Sequence, residues 1–202
     1  MAHQPPTIES HTSSALALNI DSIGLNDEQF AQLCRDNRDL RLELTSKGEL
    51  IIMPPTGSMT GLRSAKILQR LANWADEVGS GLAFDSSTGF TLPDGSKRSP
   101  DASWIRRERW NALSKKEQDG FAPLAPDFVI ELWSPSDSWT LLQQKLLDYL
   151  NNGVRLAWLI DPEQRCVYIY RPDHSIELLE NPSTVSAYPL LPGFEVDLRE
   201  IY

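Results

Sequence analysis

Asp101, in the pair Pro100-Asp101, and Glu131, inside the run Phe128-Val129-Ile130-Glu131-Leu132-Trp133, are the side chains of this sequence best suited to hold a divalent cation. A hard cation such as Mg²⁺ takes oxygen ligands in near-octahedral geometry at about 2.0–2.1 Å and needs only one or two protein carboxylates. Water and phosphate oxygens fill the remaining positions. Two carboxylates on neighbouring strands are therefore enough for metal-dependent phosphodiester chemistry. The pair follows an Asp…Glu-x-Lys spacing with one departure, because Trp133 stands in the lysine slot. An indole carries no charge and has no basic nitrogen with which to activate water.

The elements around these acids must position them. Phe128–Leu132 is a near-continuous apolar run broken only by Glu131, the pattern of a central strand buried on both faces. A carboxylate there is costly unless it is paired or binds a metal. Ser134-Pro135-Ser136-Asp137 opens a predicted helix that runs to the Asn152-Gly153 stop. Leu156–Ile160 is the next buried strand, which makes a strand–helix–strand unit expected to be a right-handed crossover between parallel strands.

Upstream, residues 1–20 are polar and rich in Pro, Ser and Thr, and read as a loose arm before one domain over 21–202. Asn26 is an N-cap for a short helix to Asn37. Leu40–Leu44 and Glu49–Met53 form a hairpin around Ser46-Lys47-Gly48. Ser58–Val78 has the stripe of a long amphipathic helix, with Leu62, Ala65, Leu68, Ala72 and Ala75 on one face. The middle of the chain is β-rich, and Glu108–Gly120 reads as a short helical excursion. Cys166–Tyr170, Ile176–Leu179 and Phe194–Val196 are further strands. The fold class is α/β: a mixed sheet flanked by helices, with antiparallel hairpins at the N- and C-terminal ends.

Composition narrows the function classes. A chain of 202 residues forms one sizeable core. A net charge of −9 argues against a general nucleic-acid binder, since phosphate contacts come from Lys and Arg. The charge is uneven, however. Lys97–Lys116 holds seven basic residues against two acids and brackets Asp101, which reads either as a flank for a phosphate backbone or as a mixed-charge surface loop. No apolar run approaches the ~20 residues of a membrane span, and no basic leader precedes an apolar stretch. Cys34 and Cys166 are too few for a disulfide framework and read as thiols in a reducing cytoplasm. His3, His11 and His174 build no zinc site or triad. Ser86, Ser87 and Ser134 have no histidine base nearby. The glycines form neither a dinucleotide fingerprint nor a P-loop. Glu43, alternating with Leu42 and Leu44, is expected to face water; Asp85 and Asp127 are expected in turns or caps.

Taken in order, Leu42-Glu43-Leu44, Gly48-Glu49-Leu50-Ile51, Pro54-Pro55, Arg98-Ser99-Pro100-Asp101-Ala102-Ser103, Pro126-Asp127-Phe128-Val129-Ile130-Glu131-Leu132, Ser134-Pro135-Ser136-Asp137, Lys145 and Trp158-Leu159-Ile160-Asp161-Pro162 form a specific series. On it, the chain resembles the PD-(D/E)XK superfamily and, within it, the Uma family of restriction-endonuclease-like proteins. The resemblance implies a restriction-endonuclease-like core and a DNA endonuclease activity. It implies that Asp101 and Glu131, with the Leu132 carbonyl, hold Mg²⁺ or Mn²⁺, and that Glu43 is an additional acid near them. It also implies that the missing lysine has moved to Lys145 on the following helix. Periodicity agrees that this lysine is unusual: Leu141, Leu142 and Tyr149 lie at i−4, i−3 and i+4, within the apolar face. Such a lysine must snorkel out or meet a buried acid, and Glu131 is the natural partner. By analogy, cutting both strands of a duplex suggests a two-fold homodimer. The alternative is a non-catalytic binding or assembly module on the same fold, for which the acidic charge and Trp133 speak.

Overall fold

The computed structural model describes residues 15–202. The chain begins with strand β1 (Leu16–Asn19), helix α1 (Asp27–Asp36) and the hairpin β2 (Arg41–Leu44) and β3 (Glu49–Met53), then the long helix α2 (Ser58–Val78). Strands β4 (Gly81–Asp85), β5 (Phe90–Thr91), β6 (Lys97–Arg98) and β7 (Ala102–Arg106) follow, then the short helices α3 (Arg107–Asn111) and α4 (Lys115–Gln118). Strand β8 (Phe128–Leu132), helix α5 (Trp139–Asn151) and strand β9 (Leu156–Asp161) form the crossover unit. Strands β10 (Cys166–Tyr170), β11 (Ile176–Glu180), β12 (Thr184–Ser186) and β13 (Glu195–Asp197) follow, and after them a short 3₁₀ helix (Leu198–Glu200).

The main sheet has six strands in the order β11-β10-β9-β8-β7-β4. Within it β8 and β9 run parallel, as a helical crossover demands, and the other pairs are antiparallel. A second sheet, β1-β3-β2-β6-β5, is antiparallel throughout, and β12 pairs with β13 in a small third one. The α/β class and the mixed sheet expected from sequence are those observed.

Side chains alternate across a strand, so the main sheet sorts its residues to two faces. One face carries Ala102, Trp104, Phe128, Ile130 and Trp158, packed against Ile67, Leu71 and Ala75 of α2 and against Phe194 and Val196 near the C-terminus. Trp158 is fully buried and lies edge-on to Phe128 at 4.8 Å and stacked on Phe194 at 5.9 Å. Each such side chain contributes about 1.5–3 kcal/mol through burial. The opposite face carries Val129, Ala157 and Leu159 against Leu146, Tyr149 and Leu150 of α5. A third cluster, Phe30, Leu42, Leu44 and Leu50, joins α1 to one side of the second sheet.

Local sequence explains the helix ends. Asn26 and Gln29 form a capping box at α1, and Gly79 ends α2 in the left-handed conformation at φ +71°. Gly81 follows because a Cβ there would meet the Trp104 ring at 2.3 Å.

Two boundaries differ from expectation. Within the stretch read as a loose arm, Leu16–Asn19 pairs antiparallel with β3, since the edge of that strand offers unpaired backbone groups; residues 1–14 lie outside the described residues. The helix after β8 starts at Trp139 with Ser138 as N-cap, not at Ser134. Ser134 instead donates through its backbone N–H and its hydroxyl to Asp137 Oδ2, each at 2.9 Å. Such local side-chain bonds compete with helix formation.

Candidate active site

The antiparallel pairing of β7 with β8 sets Ala102 against Ile130. Extending that register by one residue sets Asp101 against Glu131, and residues so opposed project from the same face. Asp101 Oδ2 accepts the Leu132 N–H at 2.9 Å, which ties the acid to the end of β8. Glu131 belongs to the face that carries Val129 and is covered by α5, and its side chain is 5 % exposed against 19 % for Asp101. Both line one cleft of about 180 Å³ between the β2–β3 hairpin, the end of β8 and the first turns of α5.

Helix α5 delivers Lys145 into this cleft. Its Nζ lies 2.8 Å from Glu131 Oε1 and 2.9 Å from Glu43 Oε1, and donates to the Ser99 carbonyl at 3.4 Å. An ammonium has three N–H groups, and all three are engaged. The Lys145–Glu131 partnership is the one its place on the apolar face suggested.

Glu43 does not face water. It alternates with Leu42 and Leu44 as expected, but the side of the hairpin opposite the α1 cluster is covered by Arg98 and α5, so Glu43 is 2 % exposed. Its Oε2 accepts from Arg98 Nη1 at 3.1 Å, and its Oε1 also accepts the Ser99 N–H at 3.0 Å. Arg98 donates its other arm to Asp148 of α5 at 2.8 Å. Tyr149, one turn beyond Lys145, donates its hydroxyl to Glu131 Oε1 at 3.0 Å. Glu43, Arg98, Asp148, Lys145, Glu131 and Tyr149 thus form one buried polar network joining both sheets to α5.

The electrostatics follow from burial and neighbours. Burial pushes the Glu131 carboxyl up, Lys145 opposes this, and the Asp101 and Glu43 carboxylates add to it, leaving it at about 7. Burial likewise raises Asp101, against the pull of Lys145, the Leu132 N–H and Arg41. Burial also works against Glu43 as an anion, yet Lys145 and Arg98 outweigh it and hold that carboxyl below the usual range. For Lys145, desolvation favours losing the proton, but Glu131 and Glu43 reverse the sign and hold the ammonium above its ordinary value. Lys145 is therefore a fixed positive charge. Burial drives the Tyr149 hydroxyl well above its ordinary value, so it is a neutral donor.

Whether these residues suit a metal rests on their donors. No group of three or more His, Cys, Asp and Glu side chains gathers as a cation cage among the described residues. Both oxygens of Glu43 are occupied by Arg98, Ser99 and Lys145. What remains is two carboxylates, Asp101 and Glu131, with the neighbouring Leu132 backbone, an all-oxygen set. Such a set fits a hard cation that keeps most of its shell for water and substrate.

Other expected features fall elsewhere. Trp133 packs in the core under α5, edge-on to Trp139 at 6.5 Å, and fills space instead of doing chemistry. The basic stretch divides: Arg107, Lys115 and Lys116 are exposed on the surface, with Lys115 paired to Asp119, while the other four turn to acids of the fold. Lys97 is buried against Asp27 at 2.8 Å, Arg98 is in the network, and Arg106 and Arg109 pair with Asp127 at 3.8 and 2.9 Å. The cleft instead draws Arg41 and Lys47 from the β2–β3 hairpin. Asp127 also caps the Arg106 N–H, and Asp85 organises the Ser87–Thr88 turn, as expected for both. In the sequence, Arg98 has only a place in the basic stretch and in the Arg98–Ser103 motif, and Tyr149 only the i+4 spacing from Lys145; neither signals a bond to Glu43 or Glu131, and Asp148 has no local signal at all.

The model of the Uma2 family, described as "Putative restriction endonuclease", matches residues 27–199. The crystal structure of a putative nuclease belonging to DUF820 from Anabaena variabilis ATCC 29413 is similar, with a TM-score of 0.68 and 22 % identity, over 79 % of this chain and 88 % of that one. That likeness shows the fold. No curated protein matches the chain. Among the described residues no helix is long and apolar enough to cross a membrane.

Proposed function

The chain belongs to the Uma2 family, and we propose that it is a divalent-metal-dependent endonuclease that hydrolyses DNA phosphodiester bonds. The observation that carries this reading is the meeting of Lys145 with Glu131, at 2.8 Å, in the cleft that Asp101 also lines. A lysine absent from the strand is supplied to the same acid from the next helix.

Asp101, Glu131 and the Leu132 carbonyl would hold Mg²⁺ or Mn²⁺. Bound there, the cation supplies Lewis-acid stabilisation of charge on the phosphoryl group. Lys145 contributes as an ammonium: it holds its proton too firmly to act as a base, so its part is electrostatic, balancing Glu131 and offering positive potential where phosphate charge develops. Lys47, at the cleft wall, would receive a flanking phosphate, and Arg41, 3.8 Å from Asp101, would add positive charge beside it. The protein acts in the cytoplasm, where its two free thiols stay reduced, and as a two-fold dimer, so that each protomer cuts one strand.

The second reading, a non-catalytic nuclease-fold module, is favoured by one observation: the ammonium has all three N–H groups engaged within the protein. Nicking of a supercoiled plasmid separates the two. Mn²⁺ or Mg²⁺ should support cleavage, a chelator should abolish it, and Asp101→Asn and Glu131→Gln should each remove it. A parent protein that binds Mn²⁺ but cuts neither duplex nor single-stranded DNA moves the module reading ahead.

A further inference from the structure

Lys145 and Tyr149 are four residues apart on α5, so they lie one above the other on the same helix face. Both reach the same atom. Lys145 Nζ is 2.8 Å and Tyr149 Oη 3.0 Å from Glu131 Oε1, while Oε2 takes no hydrogen bond from the described residues. The Lys145 ammonium also lies 5.8 Å from the centroid of the Tyr149 ring, so the two donors stand side by side. Tyr149 is fully buried, and the surrounding core of Leu146, Leu150, Val129 and Leu159 locks its ring. The Glu131 carboxylate is therefore polarised into two unlike oxygens.

That asymmetry has a consequence for cations. Ca²⁺ accepts carboxylates in either one- or two-oxygen fashion within a loose shell of 6–8 ligands, whereas Mg²⁺ demands near-ideal octahedral geometry. A carboxylate with one oxygen already saturated by two donors can offer only the other. Building on the metal-site reading above, we propose that Tyr149 is a positioning residue that, with Lys145, withholds one oxygen of Glu131 and thereby biases the site toward small octahedral cations over Ca²⁺. A buried tyrosine hydroxyl needs some partner in any fold, and a purely structural Tyr149 would take Glu131 for that reason alone. Cation selectivity distinguishes the two roles, because a structural hydrogen bond has no reason to change it.

The test uses calorimetric titration of Mn²⁺ and of Ca²⁺ into the full chain, with Tyr149→Phe compared to the parent and to Tyr170→Phe, a buried tyrosine of the same core. Tyr149→Phe should keep the parent's circular dichroism, weaken Mn²⁺ binding about tenfold, as loss of a group orienting a metal ligand does, and lower the ratio of Ca²⁺ to Mn²⁺ dissociation constants by a similar factor. Tyr170→Phe should leave that ratio unchanged. A folded Tyr149→Phe with the parental ratio overturns this proposal and leaves the metal site standing; a parent that binds neither cation overturns the metal site and the proposal with it. Should Tyr149→Phe not fold, NMR of the parent carrying ring-labelled tyrosine decides. Mg²⁺ should then shift the Tyr149 ring signal and spare that of Tyr170, and an unmoved Tyr149 signal overturns the proposal.

Discussion

Arg98 and Glu43 meet at 3.1 Å in the interior, their side chains 7 % and 2 % exposed, and through this pair the second sheet is bolted to the helix that carries Lys145. A buried ion pair adds little over a well-packed apolar pair, but removing one partner strands the other. Arg98→Met should therefore cost about 3 kcal/mol in urea unfolding by leaving Glu43 with Lys145 and Ser99 alone. Glu43→Gln should cost less, because Gln still accepts a hydrogen bond where it stands. Equal and negligible losses for both would mean the network contributes nothing to folding.

Lys145→Ala is not the clean catalytic knockout that its sequence position suggests. The ammonium neutralises Glu131 and Glu43 together, at 2.8 and 2.9 Å, so its removal leaves two buried acids facing each other. We expect a metal-free stability loss of about 3 kcal/mol, partly restored by Mn²⁺, which replaces some of the lost positive charge. Mn²⁺ should bind at least as tightly as to the parent. Cleavage should fall by about 10²–10³, the range for loss of one electrostatic contact to a transition state. Parental cleavage rates in this variant, measured on plasmid DNA, would remove Lys145 from the mechanism.

Glu131 sets the pH dependence. Its carboxyl sits at about 7 in the folded chain against an ordinary 4.5, so the folded state holds this proton more tightly than the unfolded one. The resulting stabilisation is complete below about 4.5 and is lost as pH rises through about 7; its size is on the order of 3 kcal/mol. Thermal unfolding of metal-free protein should show this decline between pH 4.5 and 7, and Glu131→Gln should flatten it. A bound cation needs the ionised carboxylate, so Mn²⁺ affinity should rise over the same window and level off above it, with proton release detectable by calorimetry in buffers of different ionisation heat.

Dimerisation is checked by mass. Light scattering should give twice the 22.7 kDa of one chain. A monomer at working concentration would require each molecule to nick one strand, and plasmid cleavage should then accumulate open circles before linear product.

The residues that hold their character locally were legible in the sequence. An acid inside the apolar run Phe128–Leu132, a lysine at apolar helical spacing and the alternation of Leu42, Glu43 and Leu44 are all statements about which residues share a face, and strand and helix periods determine that without reference to the rest of the chain. Periodicity does not say what covers a face. The hydrophilic side of Arg41–Leu44 looked wet because nothing local indicates that Arg98, fifty-five residues on, and α5 close over it. For the same reason Lys97 and Arg98 read as part of an exposed basic stretch, whereas the pairing of β2 with β6 takes them inside. Asp148 and Tyr149 looked like ordinary members of a helix. Their partners, Arg98 and Glu131, reach them only when two sheets and α5 pack together. Charge compensation in a buried site is a property of that packing, because the energy of an ion pair depends on distance and desolvation, and neither exists until the chain has folded.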